Sequence, residues 1–151
     1  MIGLCLAAGL GTRLKEEAKD KPKCMVDVGN KPILERIADS LEKAGVDKII
    51  VNLHSFPNVV MDYFGQRFLY LYEPVPMGEA NTVAIIKRWF PDKKIMVVNG
   101  DTLVFGKNHN EKRHCGITYY YPDGEVDKMT GFDFIDIGTP EGLKKARERY
   151  V

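Results

Sequence analysis

Short apolar runs alternate along this chain with stretches whose apolar residues recur every three or four positions. Ile2 to Ala7 is an apolar run stopped by Gly9 and Gly11, the pattern of a buried strand. Beyond a basic, polar loop, Ile33, Leu34, Ile37, Leu41 and Ala44 fall on one face of a helix beginning near Pro32. Proline suits a first helical turn, and Gly45 suits the end. Lys48 to His54 (KIIVNLH) reads as a second strand, Asn58 to Phe64 as a short helix and Phe68 to Tyr72 as a third strand. A helix from Glu79 to Trp89 and a fourth strand from Ile95 to Val98 follow. The final third is less regular. Ile117 to Tyr121 predicts a strand, PDG a turn, Phe132 to Ile137 another strand, and Pro140 to Tyr150 a helix with basic residues in its last turns.

Strands separated by helical crossovers predict an α/β fold, Rossmann-like, with a mainly parallel central sheet and helices on both faces. In such sheets ligands bind beyond the carboxyl ends of the strands, where the order of strands reverses. Gly9 to Arg13 and Asn99 to Asp101 both fall at such ends. No repeat, low-complexity tract or linker divides the 151 residues, a length suited to one core.

Charge and cysteine usage narrow the partners. The 22 basic and 21 acidic residues nearly cancel, so no bulk attraction to nucleic acid or to an anionic membrane is expected. The first residues lack the pattern of a signal peptide, and no stretch approaches the roughly 20 apolar residues of a membrane span. Cys5, Cys24 and Cys115 are odd in number and lack CxxC spacing, which fits reduced thiols in a cytoplasmic location. Any phosphate binding must come from placed residues.

The strongest such placement is LAAGLGTRL joined to DKPKCMV. A strand ends, and Gly9, Gly11 and Thr12 form a loop whose backbone can approach a triphosphate closely, with Arg13 adding a guanidinium. Leu14 stands where the dinucleotide fingerprint needs its third glycine, and no glycine precedes a Lys-Ser/Thr pair as in a Walker loop. Asp101, after its strand, would also suit a turn or helix cap. Asp136 alternates with apolar neighbours and would also suit an outward strand position. His109, His114 and Cys115 sit in a polar stretch read as a solvated loop.

AAGLGTR followed by KPKCMVDVGNKPILE resembles the amino-terminal signature of the sugar-1-phosphate nucleotidyltransferases, the family of mannose-1-phosphate guanylyltransferase and glucose-1-phosphate thymidylyltransferase. The resemblance continues through EPVPMGEA, VNGD and FIDIGTPEGL. It implies transfer of a nucleoside monophosphate from an NTP to a small phosphorylated acceptor, with Mg²⁺ as cofactor. It also implies one domain over residues 1–151, with a nucleotide-binding part over 1–103 and a shortened acceptor and metal part over 104–151. Leu6, Ala7, Gly9 and Gly11 would shape the nucleotide loop, with Thr12 and Arg13 at the phosphates. Lys23 would hold the acceptor's phosphate, Asp101 and Asp136 would bind the metal, and Glu73 and Gly78 would contact the base.

That chemistry needs no general base, because the attacking phosphate oxygen is already ionised near neutral pH. It needs alignment and charge neutralisation, which two carboxylates, an arginine and a lysine supply. Only 34 residues separate Asp101 from Asp136, and no second phosphate-binding lysine segment is recognisable there, with Lys128 a stand-in. Three functions stay open: transfer to a sugar 1-phosphate, transfer of CMP to a small alcohol phosphate such as phosphocholine with Tyr119 to Tyr121 as an aromatic face, and a non-catalytic nucleotide-binding subunit. An ionised Glu73 only accepts hydrogen bonds, which favours GTP or CTP over UTP and dTTP, and Glu73→Gln is expected to shift preference toward the latter. A homodimer is expected, burying Phe132, Phe134 and the tyrosine run.

Overall fold

The computed structural model describes residues 1–150, and Val151 lies outside the described residues. In chain order the strands and helices are β1 (Ile2–Leu6), β2 (Asp27–Val28), β3 (Lys31–Pro32), α1 (Ile33–Lys43), β4 (Lys48–Leu53), α2 (Pro57–Phe64), β5 (Leu69–Tyr72), α3 (Glu79–Trp89), β6 (Ile95–Asn99), β7 (Thr102–Lys107), β8 (Ile117–Tyr120), β9 (Val126–Lys128), β10 (Phe132–Asp136) and α4 (Pro140–Arg149). A six-stranded sheet has the order β5-β4-β1-β6-β8-β9. Its first four strands are parallel and the last two join antiparallel. Two small antiparallel pairs, β10 with β7 and β2 with β3, complete the framework. This is the Rossmann-like, mainly parallel sheet with helices that the sequence pattern predicts.

Period-two alternation sends each central strand's side chains to two cores. Ile2, Leu4, Ile50, Ile95 and Val97 pack with Val83 and Ile86 of α3 on one face. Cys5, Ile49, Val51, Met96 and Val98 pack on the other with Ile33, Leu34 and Leu41 of α1, Val60 of α2 and Leu143 of α4. Within α1 the buried stripe includes Ala38, whereas Ala44 is exposed. Ala44 caps the helix with its amide bonded back to Ser40, so it lies past the last turn that faces the sheet. Gly45 ends the helix at a positive φ of 89°.

Four strands lie outside the sequence reading. β7 follows Asp101 directly and pairs with β10, so that Thr102 faces Asp136 across the ladder. β9 is exposed at all three positions and carries no apolar face to betray it. The β2–β3 pair is only two residues per strand.

The residues of the expected dimer surface keep part of their surface open. Phe132 and Phe134 are half-buried within the chain, and the Arg113 guanidinium lies 4.8 Å from the Phe134 ring centre. More fully exposed apolar side chains include Met61 and Tyr63 on α2 and Leu69 and Tyr72 on the β5 edge.

The connection leaving β1 runs through α1 to β4 on one side, while α3 returns the chain to β6 on the other. The order of strands therefore reverses between β1 and β6, and the crevice opens there. At this point the Gly100 amide donates to the Leu6 carbonyl at 2.8 Å. A Cβ on Gly100 would lie 2.6 Å from that same oxygen. Gly100→Ala is expected to push the strand ends apart and cost about 1–3 kcal/mol, read as a lower urea midpoint with an unchanged denaturant slope.

Candidate active site

The site grows from three chain ends meeting over this junction. The loop after β1 carries Gly9 to Arg13, the turn after β6 carries Asp101, and the end of β10 carries Asp136. At Gly9 the backbone runs close to Lys23: a Cβ there would lie 3.1 Å from Lys23 Cε and 3.3 Å from its Nζ. Lys23 crosses the loop at that point and donates to Asp101 Oδ2 at 2.6 Å, with both side chains less than a fifth exposed. Thr102 Oγ1 donates to the other Asp101 oxygen at 3.1 Å. Gly11 takes the left-handed region at φ 67°, turning the chain into the short 3-10 segment that presents Arg13.

Gly138 marks where the charges converge. A Cβ on it would lie 2.8 Å from Arg13 Nη2, 2.9 Å from Asp136 Oδ1 and 3.1 Å from Asp101 Oδ2. The Gly138 amide donates to Asp136 Oδ1 at 2.7 Å, and Arg13 Nη2 stands 3.9 Å from Asp136 Oδ2. The Ile137 amide bonds to the Asp101 carbonyl at 2.7 Å, which locks the two carboxylate-bearing turns together. A second support reaches the Arg13 arm from α4. Arg147 makes a two-pronged ion pair with Glu17 at 2.9 and 3.0 Å, and its hydrogen bonds hold the Glu17 carboxyl below its usual range. The same arm bends at Lys15, whose φ of 48° and ψ of −108° cost a non-glycine residue about 1–3 kcal/mol.

An open cleft of about 780 Å³ lies beside this cluster, lined in part by Leu6, Gly9, Lys23, Glu73, Gly78 and Asp101. These are six of the residues singled out from sequence. Arg13 and Asp136 do not line it and meet Asp101, which does, around Gly138. Ala7 lies behind the loop, buried, with its amide donating to Asn52 Oδ1. Gly11 and Thr12 belong to the loop but do not line the cleft. Glu73 is buried, not turned to solvent, and is held by Asn52, Thr82 and the Met77 amide.

The sequence reading missed Asn52, Thr82, Thr102 and Gly138. The visible signal was slight: an asparagine among the apolar residues of β4 and a glycine two places after Asp136. Cys24 follows Lys23 but supplies no nucleophile, because burial pushes its thiol up to about 12.

Two other expectations are relocated. Tyr119 and Tyr121 lie against the Lys94 ammonium, which is 4.1 and 5.0 Å from their ring centres. Tyr120 turns the other way and donates to Glu79. Tyr120 pairs with Ile95, the first residue of β6, whereas Asp101 follows the last. The tyrosine run therefore forms no aromatic face over the cleft, since strand alternation splits it and the Lys94 ammonium already faces two of its rings. Lys128 stands on the exposed edge strand β9 and does not line the cleft. His109 and His114 are exposed while Cys115 is buried.

A family model described as the MobA-like NTP transferase domain matches residues 3–112. The chain belongs to this family. It is similar to D-glycero-alpha-D-manno-heptose 1-phosphate guanylyltransferase of Campylobacter jejuni, with 36% identity over 107 residues. That match covers 68% of this chain and 48% of the relative, so the chain spans about half the length of that protein. HddC from Yersinia pseudotuberculosis has a similar fold, with a TM-score of 0.77, 23% identity and 99% of both chains covered. UDP-glucose pyrophosphorylase from Acinetobacter baumannii superposes with a TM-score of 0.81 at 16% identity, covering 99% of this chain and 93% of that one. The transferase fold is thus shared from edge to edge of the sheet.

Gly138→Ala is the sharpest local test of the cluster. The Gly138 backbone is not held at a positive φ, so alanine is tolerated by the backbone while its methyl enters the space between the three charged groups. Binding of tripolyphosphate, read by calorimetry, is expected to weaken about tenfold. The melting temperature is expected to move by only about 2–4 °C.

Proposed function

We propose that this chain transfers a nucleoside monophosphate from an NTP, with GTP as the preferred donor, to a sugar 1-phosphate, releasing pyrophosphate. The observation that carries this reading is the gathering of Asp101, Asp136 and Arg13 around Gly138, with Lys23 laid across Gly9 to Asp101. The sugar 1-phosphate and guanylyl parts draw support from the name of the Campylobacter jejuni relative.

An acceptor phosphate oxygen attacks the α-phosphorus. A new P–O bond forms as the bond to the oxygen bridging the β-phosphate breaks, and that oxygen leaves with the electron pair as pyrophosphate. Gly9 lets the backbone and Lys23 lie close to the reacting phosphates. Lys23 draws in the acceptor's phosphate, and Arg13 offsets the charge that grows on the leaving pyrophosphate. The supports from Thr102, Gly138 and α4 hold these groups in place before substrates arrive.

Asp101 and Asp136 suit a hard divalent ion, since both bring carboxylate oxygens, the donors such an ion takes, to the same side of Gly138. Among the described residues no three His, Cys, Asp or Glu side chains gather for a metal, so phosphate oxygens and water would supply the remaining positions. A magnesium ion bound there would neutralise the triphosphate and polarise the phosphoryl group under attack. No helix is long and apolar enough to cross a membrane among the described residues, and a soluble, cytoplasmic enzyme is part of this proposal. So is a homodimer, joined through the exposed apolar residues of α2 and β5.

Mixing the chain with each NTP, Mg²⁺ and a panel of sugar 1-phosphates, and measuring pyrophosphate, tests the reading. GTP with a heptose or hexose 1-phosphate is expected to release it fastest, and Asp101→Asn to lower kcat by roughly 10²–10³-fold with the fold retained. Silence from every donor and acceptor pair would overturn the activity. Faster turnover with phosphocholine and CTP would overturn the substrate class.

A further inference from the structure

The central sheet ends in two open edges, β5 and β9, and they are built differently. β9 is exposed at every position and carries Asp127 and Lys128, charges that discourage a further strand from pairing there. β5 reads Leu-Tyr-Leu-Tyr and carries no charge, with Leu69 44% and Tyr72 54% exposed. The charged residues at its two ends are occupied within the chain. Arg67 pairs with Asp39 and Glu42, and Glu73 is buried against Asn52, Thr82 and the Met77 amide.

The pairing with β4 fixes which backbone groups β5 leaves over. The strands run parallel with Leu71 beside Asn52, and the Glu73 amide donates to the Leu53 carbonyl at 2.7 Å. Backbone groups alternate sides along a strand, so Leu69, Leu71 and Glu73 face β4. Phe68, which is extended at φ −120°, Tyr70 and Tyr72 therefore turn their N–H and C=O groups outward. Among the described residues no strand pairs with that side. Side chains alternate between the two faces as well. Phe68 and Tyr70 pack on the α1 face and Leu71 on the α3 face, so Tyr72 goes with the former and Leu69 with the latter.

From the fold, and independently of the proposed activity, we infer that β5 docks a second copy of this chain: the two β5 strands pair antiparallel about a two-fold axis between their Tyr70 residues, and one sheet runs through both protomers. Outward backbone groups must meet outward groups, so an even-numbered residue lies opposite an even-numbered one. Pro74 has no N–H and ends the usable edge. The register that keeps every pair within residues 68–72 sets Tyr70 opposite Tyr70 and Phe68 opposite the partner's Tyr72, each pair exchanging two hydrogen bonds. An axis perpendicular to the sheet keeps each face on its own side. The exposed Tyr72 then covers the partner's Phe68, and the exposed Leu69 lies against the partner's Leu71. Unpaired backbone and uncovered apolar side chains are both matched by the same surface on the other copy, as a two-fold interface requires, and no like charges meet.

Sedimentation over a range of concentrations tests this. The mass is expected to rise toward that of two chains, and a single-chain mass at about 1 mM would overturn the inference. Tyr72→Pro removes one outward N–H and spares the Glu73 bond to Leu53, so it is expected to weaken the dimer at least about tenfold. Leu69→Lys, which puts a charge on the exposed edge, is expected to do the same and serves if the proline variant does not fold. Val126→Lys on β9 is expected to leave the dimer intact. Dissociation by Val126→Lys, with Leu69→Lys silent, would move the interface to the other edge and overturn the inference. Hydrogen exchange reads the pairing itself. The Tyr70 and Tyr72 amides are expected to exchange at least about tenfold more slowly in concentrated than in dilute protein, while the Leu71 amide, turned toward β4, stays protected in both. Fast exchange at Tyr70 and Tyr72 in a sample that sediments as a dimer would overturn the inference. Neither readout uses a nucleotide, so failure here and failure of the proposed activity are told apart.

Discussion

Gly100 sits on the end of β1 so closely that its amide bonds to Leu6 and a methyl group could not fit between them. Much of the site's layout depends on this contact. It stops β6 beside β1, turns the chain outward at Asp101, and starts β7 at once from Thr102. β7 recruits β10 as its antiparallel partner, and the register sets Asp136 opposite Thr102. Two acids 35 positions apart in sequence are thereby brought to one point by a backbone clearance. Gly142 plays the matching part at the far end, where a Cβ would run into the Asp136 carbonyl, so α4 can begin directly behind that acid.

The cluster is balanced before any ligand arrives. Lys23 pairs with Asp101 and Arg13 stands near Asp136, so two positive and two negative charges share a small volume. A lone phosphate gains from the bases and loses to the acids, and a lone divalent cation does the reverse. A phosphate chain together with its cation satisfies both sets. The near-neutral net charge of the whole chain, +1, adds no long-range field to blur that local discrimination.

The fold was legible wherever one residue's neighbours in sequence predict its neighbours in space. β1, β4, β6, α1 and α3 alternate or repeat cleanly because each buries a face against a layer. β7 escaped because VNGD reads as the end of one strand and a turn, and the next strand begins with no gap after it, at Thr102. β9 escaped because an edge strand exposed at every position carries no periodicity. Ala44 was placed on the helix face by counting turns, yet the helix stops one residue short of it.

The site divides along the same line. Groups that handle phosphate must be reachable, so they stand in loops, and loops keep their functional residues contiguous: Gly9 to Arg13, Lys23 and Asp101 were readable as strings. Groups that hold those loops in place must be dry to be stiff, so they sit on strands and helices and look like core. Asn52 and Thr82 are buried beside valines and leucines, and nothing local distinguishes a strand asparagine that ties two loops from one that fills space. Glu73 stands between the two kinds, in a contiguous motif and lining the cleft yet buried and bonded to Asn52, Thr82 and the Met77 amide. A polar residue in a motif marks the place of a function. Whether it touches the ligand or holds what does is decided by which of its lone pairs are still free.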